Sequence, residues 1–142
     1  MKTAVHLLRA ICLCFLLTPA YSQNILIDYE KSDSLFVCGA DTFFIKIQNT
    51  GTTLAGNASL KLTLPVGVDY VLGSISGAGE QNITDLHKPV FALTDLPAGA
   101  LAQVALLIHA GCEAAATLDT GQLFIEDIEV ESSAGNAQVS TT

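Results

Sequence analysis

Cys38 and Cys112 carry the sharpest chemical alternatives in this sequence. The two thiols can close a disulfide, stay free, or join His87 and His109 in a Cys2His2 zinc set. Neither cysteine belongs to a short Cys-x-x-Cys pair, which weakens the zinc reading. Gly73-Ser74-Ile75-Ser76-Gly77 has the outline of a nucleophile elbow, but Ile75 stands where G-x-S-x-G needs serine. It reads as a Ser/Gly-rich turn. Gly77-Ala78-Gly79 meets Asn82 where a dinucleotide fingerprint needs its third glycine, and no helical pattern follows. For calcium, Asp28, Asp33, Asp41, Asp69, Asp85, Asp95, Asp119 and Asp127 are scattered, without a D-x-D-x-D-G loop. Glu126, Asp127, Glu129 and Glu131 are the densest acidic group and read as a solvated strand face. Asn57-Ala58-Ser59 and Asn82-Ile83-Thr84 are glycosylation sequons whose plainer role is polar loop capping. No catalytic residue, cofactor or metal site is expected from these patterns, and the chain is not expected to be an enzyme.

The compartment decides between the cysteine readings. Lys2 and Arg9 precede an apolar run at residues 10–17, Pro19 ends it, and Ala20-Tyr21-Ser22 places small residues at a cleavage site. Residues 1–22 are therefore expected to be a secretory signal peptide, cut before Gln23. The run is far shorter than the ~20 apolar residues that span a bilayer. Lipoprotein processing fits poorly, because Cys12 follows Ile11 and Cys14 follows Leu13. Cleavage removes Cys12 and Cys14, leaving two cysteines in an oxidising destination. That favours a Cys38–Cys112 disulfide.

Composition narrows the function classes. The 142 residues are 50% apolar and 14% charged, with no Trp and a formal charge of −8. That excludes a disordered polar chain and a charge-rich coiled coil. After cleavage four lysines face fourteen acidic side chains, a formal charge of −10. Such a surface is ill suited to phosphate backbones, so no nucleic acid partner is expected.

These residues must be held by strands. Ile25, Ile27 and Tyr29 alternate with polar or outward positions, and so do Phe43, Ile45 and Ile47, Leu60, Leu62 and Leu64, and Val104, Leu106 and Ile108. Shorter strands are expected at residues 68–72, 83–86 and 90–93. Leu123 and Ile125 share one parity, Ile128 and Val130 the other; a bulge near Glu126-Asp127, or a bend between two strands, would bring all four inward. Turn residues such as Asn49-Thr50-Gly51, Pro65-Val66-Gly67 and Pro97-Ala98-Gly99 punctuate the runs. The expected fold is all-β, an antiparallel β-sandwich of seven to eight strands. It should occupy residues 23–131, with 132–142 a polar tail or the start of a linker. Cys38 precedes the 42–48 strand and Cys112 follows the 102–110 strand. If these are antiparallel neighbours the thiols meet, closing a loop worth roughly 4 kcal/mol.

Two stretches carry a resemblance. CGADTFFIKIQNTGTTLAGNASLKLTLPVGVDYVLGS and PVFALTDLPAGALAQVALLIHAGC resemble the Ig-like conserved-repeat domain of large secreted bacterial surface proteins, of the gliding-motility-associated and adhesin-like kind. The matching features are strands ending in Asn49-Thr50-Gly51 and Leu64-Pro65-Val66-Gly67, and Pro97-Ala98-Gly99 before a long strand that leads to Cys112. The resemblance implies an Ig-like sandwich acting as a noncatalytic structural or adhesive module, secreted or on the cell surface. It also implies that the chain is the N-terminal piece of a longer one. Its partners would be other surface-protein domains or an extracellular ligand, with no transmembrane span in the mature chain. The alternative is a secreted ligand-binding sandwich, for example for carbohydrate. Sugar sites use exposed aromatic faces, and most of the seven aromatics left after cleavage fall on core parity.

Overall fold

A strand whose alternate residues are apolar has one face to hide, and two such sheets laid face to face hide both. The computed structural model describes residues 24–30, 38–112, 114 and 125–140. Nine strands are found among them: β1 Ile25–Glu30, β2 Gly39–Asn49, β3 Ser59–Thr63, β4 Val68–Tyr70, β5 Gly79–Asn82, β6 Val90–Ala92, β7 Leu101–Ala110, β8 Asp127–Ser132 and β9 Gly135–Ser140. They form a four-stranded sheet in the order β1-β2-β7-β4 and a five-stranded sheet in the order β5-β6-β3-β8-β9. Every pairing is antiparallel. The expected β-sandwich is the observed architecture. Among the described residues no helix is long and apolar enough to cross a membrane.

The core lies where the alternation placed it. Phe43, Ile45 and Ile47 of β2, Val104, Leu106 and Ile108 of β7, and Leu60 and Leu62 of β3 are all buried between the sheets. Tyr70 and Phe91 meet edge to face at 5.0 Å, joining β4 of one sheet to β6 of the other. Ile125, Ile128 and Val130 are all buried. A bend at Glu126, whose N–H donates to Thr63 O, reconciles their two parities. Leu123 lies outside the described residues, as do the expected signal peptide, Asp33 and Asp119.

Three expectations change. Among the described residues the strands number nine, where seven to eight were expected. Residues 83–86 are not a strand; Leu86 O accepts from Tyr70 N and His87 O from Leu64 N, so this stretch bridges the two sheets as a loop. The segment expected as a polar tail instead supplies β9, which pairs with β8 from Ser132↔Gly135 to Asp127↔Ser140. The sandwich thus reaches Ser140. β9 also packs beside β1, where Asn24 Nδ2 donates to Ala134 O at 3.3 Å.

The expected neighbours pair as read: β2 runs antiparallel to β7 from Gly39↔Ala110 to Gln48↔Leu101. That brings Cys38 and Cys112 to a Cα separation of 4.5 Å, and they form a disulfide across a sequence separation of 74.

Candidate functional site

The outer face of the four-stranded sheet is assembled from the residues that the core rejects. On β2 these are Ala40, Thr42, Phe44, Lys46 and Gln48, alternating with buried Phe43, Ile45 and Ile47. Register sets their neighbours. Phe44 lies between Glu30 of β1 and Ala105 of β7. Lys46 lies between Asp28 and Gln103, and Gln48 between Leu26 and Leu101. Thr42 faces Leu107, and Ala40 faces His109, whose other neighbour is Asp69 of β4. Phe44 is half-buried, the only aromatic among the described residues on an outer sheet face. Leu26 and Leu101 are 54% and 61% exposed. From Phe44 to their row is four residues, roughly 13 Å at about 3.3 Å per residue. The result is a face with an aromatic centre, two leucines at one end and hydrogen-bonding side chains between.

Its charges are partly spent. Lys46 Nζ donates to Glu30 Oε1 in an ion pair. The Glu30 hydrogen bond and charge, with a smaller push from Asp28, hold the Lys46 ammonium above its ordinary pKa. At the other end His87 Nδ1 sits 2.8 Å from Val68 O and 3.4 Å from Asp69 Oδ1. Both neighbours accept, so the ring proton belongs on Nδ1.

The remaining sequence candidates resolve as framework. The zinc set does not assemble: both thiols are in the disulfide, His87 is bonded to a backbone carbonyl, and His109 stands exposed on the sheet. Among the described residues no group of three or more His, Cys, Asp or Glu could hold a metal ion. In the Ser/Gly turn, Ser74 Oγ donates to Val71 O at 2.6 Å and accepts from Leu107 N at 3.0 Å. Ser76 bridges to Ala105. Gly77 has φ 80°, and a Cβ there would stand 2.1 Å from Gln103 O. Only glycine permits so close an approach to β7. In the second sequon Asn82 Oδ1 accepts from Thr84 N at 3.2 Å and Thr84 Oγ1 at 2.9 Å; in the first, Asn57 N donates to Asp95 Oδ1 at 3.1 Å. The Asn82 side chain thus caps its own loop as expected, whereas in the first sequon the cap on the Asn57 N–H is the Asp95 carboxylate. Asp127, Glu129 and Glu131 line the outer face of β8, as the solvated-strand reading expects.

Two polar hubs escaped sequence reasoning. Asn49 is fully buried; its Nδ2 donates to Thr53 O at 2.7 Å and Leu96 O at 2.9 Å, and its Oδ1 accepts from Gly51 N at 3.0 Å. The Asn-Thr-Gly turn signal marks the place but not the partner 47 residues away. Glu80 Oε1 accepts from Tyr70 Oη and Gly73 N, both at 2.7 Å. The Gly73 N–H, then the Tyr70 hydroxyl, hold its carboxyl below the usual range. Burial, and then Glu80, push the Tyr70 phenol up.

No family model and no curated protein matches the chain. Solved structures do. The chain is similar to the chitin-binding domain of a chitinase from Pyrococcus furiosus, with TM-score 0.51 and 14% identity over 80% of this chain and 92% of that one. It is also similar to an exo-β-N-acetylglucosaminidase from Vibrio harveyi, with TM-score 0.52 and 8% identity over 83% of this chain and 17% of that one. The yeast delta-COP mu-homology domain matches with TM-score 0.50 and 13% identity, over 78% of this chain and 40% of that one. A chitin-binding domain, part of a glucosaminidase and a mu-homology domain thus share this sandwich. The likeness shows the fold and does not by itself assign a role.

Proposed function

We propose that this chain is a noncatalytic extracellular carbohydrate-binding module that takes its ligand on the outer face of β1, β2, β7 and β4. The observation that carries the reading is Phe44, an aromatic ring on the outward side of a central strand, among Thr42, Lys46, Gln48 and Gln103. A sugar ring offers apolar C–H faces and a rim of hydroxyls. An aromatic with a few hydrogen-bonding neighbours matches both. The fold's likeness to a chitin-binding domain supports the same class of ligand. An extracellular setting is supported by the Cys38–Cys112 disulfide and by the leader-like residues 1–22.

Pull-down on insoluble polysaccharides, chitin among them, tests it. Wild-type protein should sediment with at least one, and Phe44→Ala should weaken that binding by about tenfold or more, as loss of a central aromatic anchor does. The melting temperature of the variant should stay close to wild type, because Phe44 is outside the core. Wild-type protein that binds no glycan would overturn the proposal and leave the structural or adhesive role that the sequence resemblance implies.

A further inference from the structure

We infer that Glu30 sets the charge of the ligand: by holding Lys46 it makes the Phe44 face a site for uncharged glycan chains that turns away anionic ones. This rests on the carbohydrate reading above. Among the described residues, Lys46 is the only Lys or Arg on the strands of this face. It lies two residues from Phe44 on the same side of β2, where it could meet a carboxylate or sulfate on a bound sugar. Glu30 stands directly across from Phe44 and takes the ammonium in an ion pair. Asp28, directly across from Lys46, is a second carboxylate beside it. The raised pKa of Lys46 reports the same two neighbours. Asp69 adds a third carboxylate at the far end of the face. The face therefore carries more acid than base, and its one ammonium is already engaged. An anionic chain laid along it would meet three carboxylates before any free cation. The groups left for a ligand around Phe44 are the ring itself, the Thr42 hydroxyl, the Gln48 and Gln103 amides and the exposed leucines, with the exposed His109 imidazole beyond them beside Asp69.

Glu30→Gln keeps the side chain's shape and removes its charge. The released Lys46 would then face the ligand beside Phe44. The readout is the ratio of affinities for a polyuronate and for a neutral glycan of the same linkage, measured at low and at high salt. Wild type should favour the neutral chain. Glu30→Gln should raise the polyuronate share by about two- to fivefold at low salt, the range of an exposed ion pair, and the gain should fade as salt screens it. Adding Lys46→Ala to that variant should erase the gain. A wild-type protein that binds polyuronate as tightly as the neutral chain, in a Phe44-dependent way, would overturn the charge inference while leaving the face as the site. An unchanged ratio in Glu30→Gln would overturn it too. Glycan binding indifferent to Phe44→Ala, or absent, would remove the face itself and this inference with it.

Discussion

The two outer faces of this sandwich arise from the same alternation and end in opposite chemistry. On the five-stranded sheet the outward residues of β3 and β8 are Ser59, Lys61 and Thr63 against Glu131, Glu129 and Asp127. Lys61 Nζ lies 2.7 Å from Glu131 and 3.9 Å from Glu129, and Gln138 Nε2 of β9 donates to Asp127 at 2.8 Å. Ser140 Oγ reaches the same carboxylate at 3.3 Å. Glu131 chiefly holds the Lys61 ammonium above its ordinary pKa. Apart from Val90 and Ala92 of β6, that face carries no apolar side chain among the described strands. Its polar groups bond to one another. The four-stranded sheet instead exposes Phe44, Leu26 and Leu101, with one ion pair among them. Solvent-facing strand positions do not require apolar side chains, as the first face demonstrates. Their gathering on the second is the contrast from which the carbohydrate proposal starts.

The faces also differ in what stands behind them. The Cys38–Cys112 disulfide clamps the β2–β7 pair that carries Phe44, while the five-stranded sheet is held by packing and hydrogen bonds. Reduction should cost about 4 kcal/mol of stability in the chain-entropy picture, visible as a lower melting temperature with strand content unchanged by circular dichroism. Amide exchange should quicken first at the β2 and β7 ends near Gly39 and Ala110, and least in β3 and β8. Equal quickening in both sheets would show that the staple does not set the two faces apart. Alkylation of unfolded, unreduced protein should find neither Cys38 nor Cys112 free.

Next in size is the contrast across one strand. Leu62 is 2% exposed, between buried Leu60 and Leu64, while Lys61 points out into the acidic ladder. Leu62→Ala should cost about 2–5 kcal/mol by chemical denaturation. Lys61→Ala should stay within about 0.5, because its ion pairs are solvent-exposed. A Lys61 cost near that of Leu62 would mean that the outer ladder braces the sheet and is not merely solvated surface.

Much of this was readable beforehand because parity is a local property. The core positions of β2, β3 and β7 follow from period two alone. So does the outward place of Phe44, since Phe43 and Ile45 claim the inner face. The β2–β7 pairing followed from the places of two cysteines. What escaped is held by partners distant in sequence. β5 is Gly-Glu-Gln-Asn, entirely exposed, and is a strand only because β6 lies beside it. β9 buries a single side chain, Ala137, and takes its form from the ladder to β8. Asn49 sits in an ordinary turn signal, yet its burial depends on a carbonyl supplied by Leu96. The Glu30–Lys46 pair becomes visible only once the β1–β2 register is known.

The smallest expected effect lies where the two sheets meet on their open side. Tyr70 of β4 belongs to the four-stranded sheet and Glu80 of β5 to the other, so their hydrogen bond ties one to the other. Gly73 N–H and the Tyr70 hydroxyl both donate to the Glu80 carboxylate, which lowers its folded-state pKa. An unfolded glutamate titrates near about 4.3. The stability linked to this charge is therefore fully present above that pH and is lost as pH falls through the lower folded value. Tyr70 acts in the opposite direction: its raised pKa contributes stability below about pH 10 that is lost as pH rises through the folded value. Glu80→Gln keeps an acceptor oxygen in place and removes the charge. The stability gap between wild type and this variant should be small, constant from about pH 5 to 9, and should close in strong acid. Urea denaturation at a series of pH values measures it. A gap that persists unchanged at acid pH would mean that shape, not charge, joins the sheets at this edge, and that the tie is as passive as the one Asn24 makes to Ala134 on the other side.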